Sequence, residues 1–513
     1  MKVVTAAEMR ALDRTTIERG TPSLVLMERA GRGVADAVLV RLGPPGGRRI
    51  AVVAGAGNNG GDGLVAARLL AEHGEHVTVY LATGRERLTP DARTNLAAVC
   101  ALGVDARDLT TRDALSEASA RIAAADAVVD AVFGTGLDRE LTPHLREVVE
   151  AMNRCCGARI AVDVPSGLHA DTGEALGAVF EADLTVTFAF PKIGLVTHPG
   201  FAHAGRVETV DIGIPASLAE EQGVRLELLD EAAASALIPP RPLSGHKGAF
   251  GHILVVAGSK GRTGAALLAG EGALRGGAGL CTIASTPAGQ QALSAHVVEA
   301  MTATYCDDEE PLAGDLARLL ELAAAKEALV VGPGIPRGEG MRELVAGLVR
   351  ESPAPLVLDA DALNLLVGRT GVLRQARVPV ALTPHPGEMA RLVGRTVAEV
   401  QSDRVGVARR LAAETGATVA LKGARTIIAC ADGRAWICPT GNPGMASGGT
   451  GDVLAGLAGA LVGQGVPMPG ALCAAVYIHG AAGDRAALRR GFAGLIARDL
   501  LDEIPSVLRD WQR

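Results

Sequence analysis

The strongest constraint on this fold is a unit that recurs along the chain: a short apolar strand, a glycine-containing loop and a helix. The first clear copy has a predicted strand at Arg49–Ala54, glycines between residues 55 and 63, and a predicted helix at Gly63–Glu72. Short, continuously apolar strands that alternate with helices are typical of parallel sheets covered on both faces. The pattern therefore predicts an α/β chain with doubly wound sheets.

The alternation occurs in two series, which sets the number of domains. The first series ends with a predicted strand at 207–212, and the second starts with one at 252–257. A polar, turn-rich stretch at 213–223 separates them. A length of 513 residues alone suggests roughly three domains. The two series instead predict two domains, residues 1–217 and 226–510.

Composition and charge exclude several classes of protein. A net charge of -7 and only 2% aromatic residues argue against nucleic-acid binding. Charged residues from Glu8 to Asp13 interrupt the apolar core that a signal peptide would need. The longest apolar run starts at Val453 and breaks at Gly463, so it is too short to span a membrane. Eight scattered cysteines contain no CxxC pair. We therefore expect a cytoplasmic protein with reduced cysteines that binds neither nucleic acid nor membranes.

The first glycine-rich loop, at 55–63, formally satisfies G-x-G-x-x-G between a strand and a helix. A helix N-terminus there offers amide groups to a phosphate. The next strand ends at Tyr80–Thr83 without the acidic residue of a nicotinamide dehydrogenase, and no G-K-[ST] follows as in a P-loop. The loop favours a phosphate site of another kind, and a glycine turn without a ligand stays open as the alternative.

Two later strand ends carry polar side chains, in the segments 130–137 and 163–168. Such ends line the ligand crevice of a doubly wound sheet. Asn59, Asp130 and Ser166 carry the oxygen ligands that suit a hard cation. Asp163 is a candidate acid or base.

The first half resembles the NAD(P)H-hydrate epimerase family through GNNGGDG, DAVFGTGL, DVPSGL, FPK and THPG over about residues 1–215. The resemblance implies a Rossmann-like fold, potassium held by Asn59, Asp130 and Ser166, and a reacting ring beside Asp163, the expected catalytic residue. It also implies a set of residues that bind the hydrated dinucleotide: Asn58, Asn59, Gly60, Gly61, Asp62, Gly134, Thr135, Gly136, Leu137, Asp138, Arg139, Glu140 and Asp163.

The most informative segment of the second half is the glycine-rich run at 441–454, which leads into an apolar helix. Consecutive amides at a helix N-terminus form an anion site suited to a phosphoryl group. Asp452, in the first helical turn, can accept a hydroxyl proton there. A capped glycine turn is the alternative interpretation.

Lysines are scarce, and their positions are informative. The chain has only six, of which Lys192, Lys247, Lys260 and Lys422 fall in candidate ligand motifs. An ammonium group is a compact charge that arginine does not reproduce. The segment 422–426 is typical of a hairpin turn, yet it combines Lys422 with a threonine as a phosphate site would.

The second half resembles the ribokinase-like superfamily, specifically ADP-dependent NAD(P)H-hydrate dehydratases, over about residues 226–510. The motifs are HKG, GSxxxxGA, GPG, DADAL, TPHPGE, KGART and GNPGMASGGTGD, with Ser447 where that family commonly has threonine. The resemblance implies ADP as co-substrate, Mg²⁺ on its phosphates and Asp452 as a catalytic residue. The implied substrate contacts are Ala265, Gly334, His385 and Asp452, and the implied nucleotide contacts are Lys422, Gly423, Ala424, Arg425, Thr426 and Gly451. A structural role for His385, between two prolines, stays open.

Together the halves predict a bifunctional enzyme that epimerises hydrated NADH and NADPH (NADHX and NADPHX) and dehydrates the S form with ADP, giving AMP and phosphate. The chain is expected to form a homo-oligomer. One alternative is a small-molecule kinase of the hydroxymethylpyrimidine type with a non-catalytic N-terminal binding module. Another makes the first half an RNA-associated scaffold, which the acidic charge and scarce aromatics disfavour.

Overall fold

The computed structural model describes residues 1–44 and 46–511. The chain divides after Leu226 into two compact units. Within the described ranges, no helix is long and apolar enough to cross a membrane.

The first unit is built on a seven-stranded sheet in the order β3-β2-β1-β4-β5-β6-β7, with every neighbouring pair parallel. Its strands are β1 (Arg49–Ala54), β2 (His76–Leu81), β3 (Asp105–Asp108), β4 (Ala127–Ala131), β5 (Ala158–Val162), β6 (Leu184–Phe188) and β7 (Arg206–Val210). Its helices are α1 (Ala6–Glu18), α2 (Ser23–Leu42), α3 (Asn58–Glu72), α4 (Pro90–Ala101), α5 (Arg112–Ala123), α6 (Pro143–Asn153), α7 (Ile193–Val196) and α8 (Ala216–Glu221).

Strand β1 shows why this sheet is doubly wound. Ile50 and Val52 pack into one apolar cluster, whereas Ala51 and Val53 pack into another. Successive side chains of a strand point to opposite faces, so each face has its own core. The continuous apolar run in the sequence is therefore explained by burial on both sides.

The second unit contains a ten-stranded sheet in the order β11-β10-β9-β12-β13-β14-β15-β16-β17-β8. Its strands are β8 (Leu226–Leu228), β9 (His252–Val256), β10 (Leu280–Ser285), β11 (Met301–Thr304), β12 (Ala328–Val331), β13 (Leu356–Leu358), β14 (Val380–Leu382), β15 (Thr418–Leu421), β16 (Ile427–Ala429) and β17 (Ala435–Ile437). From β11 to β15 in sheet order the neighbouring strands are parallel, and β15, β16 and β17 pair antiparallel.

The helices of the second unit are α9 (Glu231–Ser235), α10 (Thr263–Arg275), α11 (Pro287–Ser294), α12 (Leu316–Ala323), α13 (Glu339–Glu351), α14 (Asp361–Leu365), α15 (Pro386–Val393), α16 (Val397–Ser402), α17 (Arg404–Thr415), α18 (Thr450–Gly463), α19 (Met468–Arg490) and α20 (Ala497–Trp511). Helices α10 and α18 pack very closely, since a Cβ added to Gly456 would lie 1.9 Å from the carbonyl oxygen of Ala269. This close packing fixes the start of α18, which carries the glycine-rich run.

The α/β class predicted from the alternation is confirmed, but several boundaries differ. The sequence of residues 397–415 predicts one long helix, but the structure has two, because Asp403 breaks it and its Oδ1 accepts the backbone N–H of Gly406 at 2.9 Å as a cap. Helix α3 begins at Asn58, five residues before the predicted start at Gly63. The glycine-rich loop is therefore largely the first turn of a helix, which brings its amides to the strand ends.

Two candidate active sites

A cavity of about 670 Å³ opens where strands β1, β4 and β5 end in the first unit. Its walls include ten of the residues predicted to bind a dinucleotide: Asn58, Asn59, Asp62, Gly134, Thr135, Gly136, Leu137, Arg139, Glu140 and Asp163. Gly60 and Gly61 are buried inside α3 instead, where a Cβ on Gly60 would lie 2.0 Å from the carbonyl oxygen of Gly55. Asp138 lies in the loop that supplies the lining residues Leu137 and Arg139.

Asp163 follows β5 and is held by a buried lysine. Its Oδ1 accepts a hydrogen bond from Lys192 Nζ at 2.5 Å, and Lys192 is only 1% exposed. Lys192 also donates to Thr187 Oγ1 at 3.0 Å and to the carbonyl oxygen of Phe188 at 3.2 Å, so all three ammonium protons have acceptors. Lys192 thus fixes the carboxylate and is itself unavailable to a ligand.

The second oxygen of Asp163 faces the cavity wall. Asp163 Oδ2 lies 3.1 Å from the position that a Cβ on Gly134 would occupy, and Asn59 Oδ1 lies 3.0 Å from it. Asp163 also has a positive φ of 65°, a conformation that is uncommon for a residue other than glycine. Backbone strain of this kind clusters at functional sites.

Besides the exposed Glu140, two carboxylates that burial affects share this cavity with Asp163. Burial, together with the nearby charges of Asp163 and Asp13, raises the pKa of Asp62 well above its ordinary value. Burial also raises the pKa of Asp13 to about 6, with Lys192 acting to lower it and Asp163 to raise it. The cavity therefore holds buried carboxyl groups whose pKa values are raised above the ordinary range.

Of the three predicted potassium ligands, Asp130 and Ser166 contact each other. Asn59 lies beside Gly134, and the backbone N–H of the preceding residue, Phe133, donates to Ser166 Oγ at 2.9 Å. Asp130 is fully buried, with its Oδ1 accepting from Ser166 Oγ at 2.6 Å and its Oδ2 accepting from the Ser166 backbone N–H at 2.7 Å. Burial raises the pKa of Asp130 to about 6, partly opposed by these hydrogen bonds. The side-chain oxygen and nitrogen of Asn59 are buried without a hydrogen-bond partner within the described residues.

The second candidate site lies where strands β13 and β15 end beside the start of α18. Lys422 Nζ donates to Asp359 Oδ1 at 2.6 Å, and Asp359 is 1% exposed. A Cβ on Gly451 would lie 3.2 Å from Lys422 Nζ, so the glycine allows the ammonium group to approach the helix terminus. Asp452 is the next residue of α18.

The charges at this site favour a proton acceptor with a near-neutral pKa. Burial raises the pKa of Asp452 to about 7, with Asp359 adding to the rise and Lys422 opposing it. Burial acts to lower the pKa of Lys422, but Asp359 and Glu388 outweigh it and raise that pKa. Lys422 is thus held as a cation and Asp452 is able to exchange a proton near pH 7.

The glycine-rich run before α18 presents an unsatisfied hydroxyl. Ser447 Oγ is buried without a hydrogen-bond partner in the described part of the chain. Gly449, the residue that caps α18, has a φ of +92°, which glycine adopts without steric cost. A buried polar atom at a helix N-terminus is a good candidate contact for an anionic ligand.

The remaining predicted residues of this unit border the same strand ends. A Cβ on Gly334 would lie 3.3 Å from that of Ala265. His385 caps α15, with its Nδ1 accepting the backbone N–H of Gly387 at 3.0 Å, so any proton on the ring is on Nε2. Burial, Lys422 and Arg391 lower the pKa of His385. His385 thus has a structural role, and its side chain is half-exposed, so a ligand can also reach it.

The segment 422–426 is indeed the turn between antiparallel strands β15 and β16. Thr426 Oγ1 donates to the carbonyl oxygen of Gly423 at 3.0 Å, and buried Arg404 Nη2 donates to the carbonyl oxygen of Lys422 at 3.2 Å. Arg425 Nη1 donates to the carbonyl oxygen of Pro439 at 3.0 Å. The hairpin interpretation and a ligand site are therefore compatible, since the turn adjoins Lys422.

Sequence reasoning missed Asp13 and the partner of Lys192. Met9, Asp13 and Ile17 are spaced four residues apart on one helix, and all three line the cavity. A carboxylate within the apolar stripe of an amphipathic helix was the available signal. Lys192 stood out by its rarity, but no pattern in the sequence indicates that it pairs with Asp163.

Comparison with known proteins covers both units. Residues 253–506 match the family described as NAD(P)H-hydrate dehydratase, and residues 23–194 match the family described as YjeF-related protein N-terminus. A solved structure described as the ADP/ATP-dependent NAD(P)H-hydrate dehydratase from Bacillus subtilis, co-crystallised with ATP/Mg²⁺, is 33% identical, with a TM-score of 0.49; the match covers 56% of this chain and 98% of that one.

Full-length relatives carry both halves on one chain. The bifunctional NAD(P)H-hydrate repair enzyme Nnr of Moorella thermoacetica is 45% identical, over 99% of this chain and 97% of the relative. The corresponding proteins of Thermofilum pendens and Escherichia coli are 40% and 35% identical, over 99% and 94% of this chain and 96% and 89% of the relatives. This chain belongs to the family of bifunctional NAD(P)H-hydrate repair enzymes.

Proposed function

We propose that this chain repairs hydrated NADH and NADPH in two steps: an epimerase domain (residues 1–217) interconverts the R and S hydrates, and a dehydratase domain (residues 226–510) converts the S hydrate to NADH or NADPH with ADP. The observation that carries the proposal is the match, over 99% of this chain, to a bifunctional repair enzyme. The two candidate sites supply a chemistry for each step. The full-length relatives support this function over a small-molecule kinase with a non-catalytic first half.

The epimerisation follows from the chemistry of the hydrate. Its C6 carries a hydroxyl beside the ring nitrogen, so the nitrogen lone pair can expel the hydroxyl as water and form a C6=N1 iminium. Water that adds to the other face of C6 inverts the centre after losing a proton. Asp163 is the proposed catalytic residue, since Lys192 pairs with its Oδ1 and leaves Oδ2 next to Gly134, which lines the cavity. The lining residues named above would bind the phosphates and sugar.

The buried oxygen ligands of the first unit fit a potassium ion. Asn59 Oδ1 lacks a partner among the described residues, and the carboxylate of Asp130 and hydroxyl of Ser166 are hard donors of the type such a cation takes. In this proposal Asn59, Asp130 and Ser166 would hold K⁺. The ion would offset negative charge next to the substrate phosphates.

The dehydration needs a better leaving group than hydroxide. Asp452 would accept the proton of the C6 hydroxyl while that oxygen attacks the β-phosphorus of ADP, releasing AMP. The ring nitrogen then expels inorganic phosphate from C6, and loss of a C5 proton restores the C5=C6 bond of NAD(P)H. The N-terminus of α18 and Lys422 would stabilise the charge on the transferring group.

The proposed ligands of this site divide between substrate and nucleotide. Ala265, Gly334, His385 and Asp452 would face the hydrate, and Lys422, Gly423, Ala424, Arg425, Thr426 and Gly451 would bind ADP. No cluster of three or more metal-ligating side chains occurs in the described ranges. Mg²⁺ binds chiefly through water and substrate phosphates with one or two carboxylates. Asp359, Glu388 and Asp452 are the carboxylates whose charges act on Lys422, and Asp359 and Asp452 would be the ones to hold the ion. When bound, it would neutralise phosphate charge.

A mixed-epimer assay tests the proposed function. The wild-type chain is incubated with R and S NADHX and excess ADP, and then with ATP in place of ADP, while absorbance of regenerated NADH is followed against an enzyme-free control. Complete conversion with ADP is expected. Conversion that stops at the S fraction would contradict the epimerase half, and no conversion with either nucleotide would contradict the whole proposal.

Removal of the Ser447 hydroxyl is expected to weaken ADP binding. A hydrogen bond to a charged group contributes about 1.5–3 kcal/mol, so Ser447→Ala should raise the KM for ADP roughly 10- to 100-fold. Ser447→Thr keeps the hydroxyl and should retain wild-type behaviour. Ser402→Ala, at an exposed helix position, is the control. A wild-type KM in Ser447→Ala would show that the hydroxyl does not contact the nucleotide.

Cytoplasmic location, homo-oligomerisation and the absence of nucleic-acid or membrane partners remain predictions. Gel filtration with light scattering tests the oligomeric state directly.

A further inference from the structure

The cavity of the first unit contains a carboxylate that the proposed function has not used. Asp13 lies on helix α1, and Met9, Asp13 and Ile17 line the cavity from one face of that helix. Residues four apart lie above one another on a helix, so Asp13 is set between two apolar side chains. Arg10 of the same helix also lines the cavity, and its guanidinium donates to the carbonyl oxygen of Thr135 at 3.4 Å. None of the described residues donates a hydrogen bond to Asp13 or forms an ion pair with it.

Asp13 and Asp163 have contrasting environments in the same cavity. Asp163 accepts hydrogen bonds from Lys192 and Thr187, so its negative charge is compensated by a buried cation. Asp13 has no hydrogen bond or ion pair within the described residues and faces the cavity from a different element; burial raises its pKa to about 6, although the charge of Lys192 acts to lower it. Two carboxylates in different environments, one paired with a buried cation and one without a hydrogen-bond partner in the described part of the chain, are a usual basis of separate acid and base roles.

We propose that Asp13 is a second catalytic residue of the epimerase site and acts as the proton donor that complements Asp163. This inference rests on the proposed epimerase function. The reacting ring would lie between the two carboxylates, so that each serves one face of C6.

The step balances with these two groups alone. The carboxylic acid of Asp13 gives its proton to the C6 hydroxyl, which leaves as water while the nitrogen lone pair forms the C6=N1 bond. A water molecule adds to the opposite face of C6 and gives a proton to Asp163 Oδ2, and the electrons of the C6=N1 bond return to nitrogen. Asp13 is then ionised and Asp163 protonated, which is the state required for epimerisation in the reverse direction.

Glu140 and Asp62 are the other carboxylates of the cavity, and the structure favours Asp13 over both. Glu140 is exposed and paired with Arg146. Asp62 lies within the first turns of α3, next to the amides proposed to bind phosphate. Burial and two neighbouring carboxylates raise its pKa well above its ordinary value. A catalytic acid works best when its pKa lies near the working pH, a condition that Asp13 meets.

The test compares Asp13→Asn with Asp36→Asn, a change of an exposed aspartate on α2. Interconversion of purified R and S NADHX is followed by chiral chromatography, and entry of ¹⁸O from labelled water at C6 is followed by mass spectrometry. We expect Asp13→Asn to lower both rates by about 100-fold or more, with KM changed less than about threefold. Asp36→Asn should match the wild type. A wild-type rate in Asp13→Asn would overturn the inference.

Chemical rescue separates proton donation from a structural role. In Asp13→Ala, added formic or acetic acid near pH 6 is expected to raise the rate at least about tenfold, without changing the melting temperature. Absence of rescue in a variant that melts like the wild type, or a rate loss accounted for by a lower melting temperature, would overturn the inference. An inactive wild-type chain would instead overturn the proposed function, and the inference with it.

Discussion

Replacement of Asp452 by asparagine is expected to lower the rate of ADP-dependent NADH formation from S-NADHX by roughly 10²- to 10⁴-fold, the usual contribution of a positioned acid or base. Asparagine keeps the shape of the side chain but cannot accept the proton of the C6 hydroxyl. The pairing of Lys422 with Asp359 does not involve Asp452, so the rest of the site should keep its geometry. The measurement is single-turnover NADH absorbance with saturating ADP.

The same chain supplies an internal control for this variant. Interconversion of R and S hydrates should proceed at the wild-type rate in Asp452→Asn, because Asp163 and its cavity belong to the first unit. Asp502→Asn, at an exposed position of α20, should leave both activities unchanged. Near-normal NADH formation in a folded Asp452→Asn variant would remove Asp452 from the mechanism.

The second large effect is expected from Asp163→Asn, which should slow epimerisation by roughly 10²- to 10⁴-fold. Asparagine tolerates the positive φ at this position better than most residues, so the backbone should be preserved. With mixed epimers and ADP, NADH formation should stop once the S fraction is consumed. Interconversion at the wild-type rate in a folded variant would refute the role of Asp163.

A matched variant separates catalysis from stability at this site. Asp163→Asn leaves the ammonium group of Lys192 buried without an anionic partner, and loss of one member of a buried ion pair costs about 3–5 kcal/mol. Asp163→Asn combined with Lys192→Met removes both charges. The double variant should recover most of the free energy of unfolding, measured in urea, while epimerisation stays lost.

The fold class and the location of both sites could be predicted because they depend on local patterns. Strand β1 is apolar on both faces in the sequence, and in the structure its successive side chains pack into two separate cores, Ile50 and Val52 into one and Ala51 and Val53 into the other. The glycine-rich run before α18 likewise predicts a helix N-terminus from sequence alone. Each of these signals is contained in a short stretch of consecutive residues.

What could not be predicted depends on contacts between distant segments. Lys192 lies 29 residues after Asp163, and no periodicity links them. Asp13 reaches the same cavity from the first helix, which a pattern of strand ends does not include. The sequence predicts no strand at β3, because its residues, Asp105–Asp108, lie mostly exposed at the sheet edge and lack an apolar pattern.

A mixing experiment tests most directly whether one chain carries two separate active sites that act in series. Asp163→Asn and Asp452→Asn chains are assayed alone and together with mixed NADHX epimers and ADP. We predict that the first alone stops at the S fraction, the second alone forms almost no NADH, and the mixture converts all of the substrate. A mixture that yields no more NADH than Asp163→Asn alone would contradict two sites acting in series.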